Sequence, residues 1–149
     1  MNLQEMFKTV DVVLVLDWPT KEVPESLTLA GFQVVVRGGP GPEDYSAYEL
    51  NHGEIVVRRG GSRPERADLV YAFRPFSDLP EIIATAKALR AKTIWTQSGL
   101  STAGVKDAKG CWVAEDELRS ARNLVQSAGL NYVTQPYIGE LAREMRAAR

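Results

Sequence analysis

The feature that most constrains the fold is the apolar run at residues 10–16, which reads VDVVLVL. A strand that is buried on one face alternates apolar with polar residues, whereas a strand of a parallel sheet is covered on both faces and reads as a nearly continuous apolar run. The run therefore predicts a strand inside a parallel sheet. Parallel strands need long crossover connections, so helices are expected between the strands.

The rest of the chain shows this alternation of strands and helices. Gly31 and Gly129 stand where two helices are expected to end. Asp78 and Glu81 have the spacing of a capping box at the start of another helix. Together with the apolar periodicity, these signals predict strands at 32–36, 67–73, 93–96 and 130–134, and helices at 23–30, from 78, at 115–128 and in the tail from 140.

One segment breaks the alternation. Residues 48–50 and 54–58 flank the turn residues Asn51-His52-Gly53, which predicts a β-hairpin. We therefore predict a single α/β domain of 149 residues, a Rossmann-like open parallel sheet of about five strands with helices on both faces and this extra hairpin. The predicted strand order is 3-2-1-4-5, in which the third strand (67–73) lies outside the second.

The composition excludes several classes of function. A net charge of −1 provides no general attraction for nucleic acid or a membrane surface. No apolar run approaches the ~20 residues of a transmembrane helix, and the start of the chain lacks the apolar stretch of a secretion signal, so we expect a cytoplasmic protein. The single cysteine and the single histidine exclude an internal disulfide and a multi-cysteine or multi-histidine metal site.

Polar or cationic residues follow each of the first four parallel strands. The carboxyl ends of these strands meet at one edge of the sheet, where α/β proteins bind ligands at the reversal of strand order. Arginine and lysine at that edge, assisted by helix N-termini, favour a phosphorylated ligand. The candidate binding residues are Asp17, Trp18, Pro19, Thr20 and Lys21 after the first strand, Arg37 and Gly38 after the second, Arg74 and Pro75 after the third, and Gln97, Ser98 and Gly99 after the fourth.

No catalytic set accompanies these residues. The segment after the first strand reads DWPTKEVP and lacks the glycines of a dinucleotide-binding fingerprint, and no G-x-S-x-G nucleophile motif is present. Trp18 either stacks on a ligand or covers the sheet edge. Asp17 either acts as a general base or accepts a hydrogen bond from a ribose hydroxyl.

Three segments between residues 67 and 134 share motifs with a known family. ADLVYAFRPFSDLPEII is similar to a strand, F-R-P turn and helix, AKTIWTQSGL to an A-K-x-x-W-x-Q-x-G segment, and SAGLNYV to an A-G-L-x-V strand entry. In these motifs the chain resembles the small stand-alone CoA-binding proteins, whose fold is like the N-terminal CoA-binding domain of the succinyl-CoA synthetase α subunit. The first loop departs from the family, which has V-G-x-S followed by P-S-Y.

The resemblance implies a binding module for CoA, acyl-CoA or a related adenine nucleotide that is not catalytic by itself. The ligase domains of the larger enzymes have no counterpart in this sequence. By the same resemblance, Thr20 and Lys21 are expected near the diphosphate, Arg37 near the ribose phosphate, and Arg74, Pro75 and Gln97 along the cleft.

Two other functions stay open at this point. One is an interaction or regulatory protein that kept the fold and lost the ligand, which the missing glycines favour. The other is a small enzyme that acts on an acyl or phosphorylated substrate through Asp17 or Cys111. A protein partner and a homodimer also stay open.

Overall fold

A mostly parallel sheet forms the centre of the molecule. The computed structural model describes residues 3–16, 22–37, 44–72, 78–96, 115–134 and 138–147. Within these ranges the strands are β1 (Val12–Leu16), β2 (Gln33–Arg37), β3 (Tyr45–Asn51), β4 (Glu54–Gly61), β5 (Leu69–Ala72), β6 (Thr93–Thr96) and β7 (Asn131–Val133), and the helices are α1 (Leu3–Lys8), α2 (Glu22–Leu29), α3 (Leu79–Ala88), α4 (Glu115–Ser127) and α5 (Ile138–Ala147).

The described strands lie in the order β4-β3-β2-β1-β5-β6-β7. Strands β2, β1, β5, β6 and β7 pair in parallel, whereas β3 pairs antiparallel with β2 and with β4. The predicted α/β class, with a parallel sheet and an extra hairpin, is confirmed.

The predicted order of the parallel strands is wrong in one respect. Strand β5, the third strand of the prediction, lies beside β1 and not outside β2, so the five parallel strands run 2-1-3-4-5. The hairpin is the physical reason. Because β3 pairs with β2, it occupies the edge that the prediction assigned to the third strand.

Both faces of the sheet are covered, as the apolar run in β1 predicts. Val13 and Val15 pack on the face that carries α2 and α5, and Leu14 and Leu16 pack on the face that carries α3 and α4. All four side chains are buried. Successive residues of a strand point to opposite faces, so only a continuous apolar run places apolar side chains in the cores on both faces.

The hairpin is longer than the sequence predicted, since β3 begins at Tyr45 and β4 continues to Gly61. Its turn is as predicted: His52 and Gly53 have φ angles of 51° and 82°. Two adjacent residues with positive φ match the twist of the flanking strands in a two-residue hairpin.

The structure corrects the expected helix ends in two places. Asp78 is the N-cap of α3, but its backbone is α-helical (φ −89°, ψ −1°) and its side chain forms no capping hydrogen bond. A capping residue normally has an extended backbone, so the predicted capping box is not formed. Helix α1 was not predicted, and α5 begins at Ile138, which is fully buried.

None of the helices in the described ranges has the length and apolar character needed to span a membrane.

Asp68 joins the start of β5 to the start of β1. Its Oδ2 accepts hydrogen bonds from the backbone N–H groups of Asp11 (2.9 Å) and Val12 (3.0 Å), and Arg66 Nη2 lies 3.4 Å from its Oδ1. Partial burial acts to raise the pKa of Asp68, but the two backbone hydrogen bonds and Arg66 outweigh it, so the pKa lies below its ordinary value of 3.8.

We expect Asp68→Ala to lower the free energy of unfolding by about 1–3 kcal/mol at neutral pH, because two backbone N–H groups lose their acceptor. A lowered pKa in the folded state means that this contribution is present above the pKa of the unfolded carboxyl and is lost as the pH falls through the folded value. Urea titrations should therefore show a gap between wild type and variant that closes in acid.

Asp116→Ala is the matched control, because Asp116 is an exposed carboxylate on α4. Its loss should change the free energy of unfolding by less than about 0.5 kcal/mol. An Asp68→Ala effect of that same size would contradict the role given to Asp68.

Candidate functional site

The carboxyl ends of four parallel strands lie side by side. The register places Arg37 beside Leu16, Leu16 beside Ala72, and Ala72 beside Thr96. Register partners point to the same face of a sheet, so the four side chains form a row on the face that carries α3 and α4. We call Arg37, Leu16, Ala72 and Thr96 the strand-end row. Ala72 is its smallest member and is completely buried.

The strand order reverses beside this row. From β1 the chain runs through α2 to β2 on one side, and from β5 it runs through α3 to β6 on the other. Helices α2 and α3 cover opposite faces, so a crevice is expected at the carboxyl ends of β1 and β5. The predicted order placed the reversal between the first and fourth strands. In the structure the reversal lies between β1 and β5, which end at Leu16 and Ala72.

A small cleft lies between the Arg37 end of the strand-end row and the first half of α3. Leu16 and Ile82 supply apolar surface, and helix α3 contributes polar groups from its first turns. The cleft is lined by Leu16, Arg37, Asp78, Glu81, Ile82 and Thr85.

Arg37 supplies the positive charge among the described residues of this cleft. Its side chain is 20% exposed, and its Nη1 lies 3.9 Å from Oε1 of Glu81, which is 63% exposed. A long ion pair to an exposed carboxylate contributes little energy. A phosphate that accepts two parallel N–H bonds from the guanidinium would make a shorter and stronger contact.

Arg37 is also the one predicted site residue that falls within the described ranges, and it stands at the carboxyl end of β2 as predicted. The strand ends that precede the other predicted residues are neighbours in the sheet. The predicted residues outside the described ranges are Asp17, Trp18, Pro19, Thr20, Lys21, Gly38, Arg74, Pro75, Gln97, Ser98 and Gly99, and Cys111 lies outside them as well.

The contribution of α3 to the cleft was not predicted. Asp78 and Glu81 were expected to cap the helix, whereas both line the cleft together with Thr85. The signal was present in the spacing, because residues 78, 81, 82 and 85 form a single stripe on a helix. Ile82, the apolar member of this stripe, is buried in the core, so the polar members beside it lie at the edge of the core.

A buried hydrogen bond fixes the other end of the strand-end row. Thr96 Oγ1 and the Tyr132 hydroxyl are 2.6 Å apart, and both side chains are buried. Arg122 of α4 lies over the Tyr132 ring, 5.5 Å from its centroid. These contacts connect Thr96 to β7 and α4. Thr96 is the residue that directly precedes the predicted site residue Gln97.

We expect Thr96→Val and Tyr132→Phe each to lower the free energy of unfolding by about 1–3 kcal/mol, because each leaves a buried hydroxyl without its partner. The double variant removes both hydroxyls, so its loss should be smaller than the sum by about 1 kcal/mol. Urea denaturation of the four proteins measures this coupling, and strictly additive losses would show that the hydrogen bond does not stabilise the strand end.

The chain matches a known family. Residues 45–139 match a family model described as a CoA binding domain. The matched region runs from β3 to the start of α5, which is well over half of the chain. The search of curated proteins gives no match.

Two solved structures share the fold. One, described as the structure of cell-free ID.343 from Thermus thermophilus, has a TM-score of 0.58 at 22% identity and covers 97% of this chain and 99% of its own. The other, described as the crystal structure of an uncharacterized protein, has a TM-score of 0.50 at 13% identity and covers 94% and 97%. At these identities the likeness shows the fold and not the function.

The family match confirms the resemblance seen in the sequence motifs. It includes β5, α3 and β6, which carry part of the strand-end row and one wall of the cleft. The chain therefore belongs to the CoA-binding domain family.

Proposed function

We propose that the protein is a binding module for CoA, acyl-CoA or a related adenine nucleotide, and that it is not catalytic by itself. The observation that carries this proposal is the family match over the segment that builds β5, α3 and β6. These elements flank the reversal of strand order, which is where doubly wound α/β folds bind nucleotides.

The polar groups of the cleft suit the nucleotide end of CoA. CoA carries a phosphate on its adenosine ribose, and Arg37 offers the planar fork of donors that binds phosphate in a bidentate way. Asp78 and Glu81 on the facing helix are acceptors for a ribose hydroxyl or for the adenine amino group. A cation beside two carboxylates therefore fits a ribose phosphate better than it fits a bare diphosphate.

The remaining predicted residues are proposed to hold the rest of the ligand. Leu16 and Ala72 are register partners, so the two segments that begin after them start next to each other. In this proposal Thr20 and Lys21 contact the diphosphate, Asp17, Trp18, Pro19 and Gly38 flank it, and Arg74, Pro75, Gln97, Ser98 and Gly99 line the path of the pantetheine arm.

Thermal unfolding with added ligand tests the proposal. CoA should raise the melting temperature in a concentration-dependent way, since a ligand that binds only the folded state stabilises it by mass action. Acetyl-CoA and ADP, tested in the same way, report on the acyl group and on whether the adenine nucleotide binds without the pantetheine arm. No shift with any of them at about millimolar concentration would contradict the proposal and favour a fold that has lost its ligand.

We expect Arg37→Gln to weaken CoA binding by about tenfold, or about 1.4 kcal/mol, because a charged hydrogen-bond donor is lost. Dephospho-CoA lacks the ribose phosphate, so its affinity should change much less. Isothermal titration calorimetry of both ligands measures the difference.

Lys87→Gln provides the control, because it removes an exposed cation from the last turn of α3, the helix that lines the cleft. It should leave the affinity for both ligands unchanged. Equal weakening of CoA and dephospho-CoA by Arg37→Gln would show that Arg37 does not contact the ribose phosphate.

A further inference from the structure

We propose that the protein forms a two-fold symmetric dimer through β4, with two copies of this strand paired antiparallel and Val56 on the symmetry axis. In the part of the chain that the structure describes, β4 is the outermost strand of the sheet. An edge strand presents backbone N–H and C=O groups that can pair with a further strand. The second copy of this chain is the occupant that the pattern of β4 favours.

The regular part of β4 is centred on Val56. The β3–β4 register runs unbroken from Asn51↔Glu54 to Ala47↔Arg58 and shifts before Gly61. In a two-residue hairpin the residues beside the turn form a hydrogen-bonded pair, and the pattern then alternates along the strand. The backbone groups of Ile55 and Val57 therefore point away from β3, towards the open edge.

Symmetry restricts how two such strands can pair. In a continuous antiparallel sheet, opposite residues point to the same face. Because side chains alternate between faces along a strand, a residue of one copy lies opposite a residue of the other copy whose number differs from its own by an even number. Centring on Val56 sets it against Val56 of the second copy and sets Ile55 against Val57 of the second copy. The outward backbone groups of Ile55 then form hydrogen bonds with those of Val57 of the second copy. The alternation of hydrogen bonding along β4 is therefore compatible with the two-fold symmetry.

The charges of β4 favour the same register. Glu54 comes to lie opposite Arg58 of the second copy, and the symmetry repeats the pair. Arg58 already lies 3.3 Å from Glu49 of its own chain, with both side chains exposed, so in the dimer it would stand between two carboxylates. In a register centred on Ile55, Glu54 would lie opposite Val56, and in a register centred on Val57, Arg58 would lie opposite Val56. Either register loses the cross-strand ion pair.

The apolar residues of the hairpin complete the surface. Leu50 pairs with Ile55, and the buried Tyr48 pairs with Val57, so these side chains form a strip on the face that carries α2. Leu50 and Val57 remain 46% and 40% exposed. In the dimer the strips of two copies join into one apolar surface. The contact is small, so association is expected at micromolar concentrations.

Sedimentation velocity of the full chain from roughly 1 to 300 μM tests the proposal by mass action. The wild type should shift from monomer to dimer across this range. Glu54→Arg alone and Arg58→Glu alone should each stay monomeric, because each sets like charges opposite one another. An equimolar mixture of the two variants should form heterodimers, because both cross-strand pairs are then attractive.

Val56→Lys gives an independent test, since it sets two cations against each other on the axis. It should weaken association by at least about tenfold, whereas Leu124→Lys, a similar exchange at an exposed leucine of α4, should leave it unchanged. Circular dichroism melts show that each variant is folded.

A wild type that stays monomeric throughout overturns the proposal and leaves the edge to a strand of another protein. A dimer that survives all three β4 substitutions also overturns it. Failure of the mixture to associate overturns the register centred on Val56.

Discussion

The burial of β1 on both faces is the constraint on which the rest of the structure depends. Its side chains alternate between two cores, and its backbone is paired on both edges, with β2 and with β5. A strand held in this way needs helices above and below the sheet, and crossover connections supply them. The carboxyl end of β1 then becomes the point from which neighbouring connections leave towards opposite faces, and that is where a ligand crevice is expected.

The hairpin β3–β4 determines where that crevice lies. By pairing with β2, β3 occupies the free edge on that side, and β5 takes the place beside β1. The ends of β1 and β5 are thereby neighbours, and Arg37 and α3 stand on one side of the crevice. The same hairpin extends the sheet to an outer strand that carries Glu54 at its start and Arg58 four residues later. One hairpin thus shapes both the proposed nucleotide site and the proposed contact between copies.

Much of this fold was predictable because its signals are local. The run in β1, the TIWT strand and the Asn51-His52-Gly53 turn each contain the periodicity or the turn residues that specify them. The strand order was not predictable in the same way, because the choice of β5 or the hairpin as the neighbour of β2 depends on contacts between distant segments. The site shows the same division. The position of Arg37 at a strand end was predictable from the local sequence. Asp78 and Glu81 were assigned to a helix cap, because their position beside Arg37 follows only from tertiary packing.

The most direct test of the central claim is amide hydrogen exchange measured with and without CoA. If the ligand lies across the carboxyl ends of β1, β2 and β5, CoA should slow exchange in peptides that span residues 17–21, 73–77 and the first turn of α3, and should leave the β3–β4 turn unchanged. Protection absent from these peptides, or found only at the amino ends of the strands, would contradict the account.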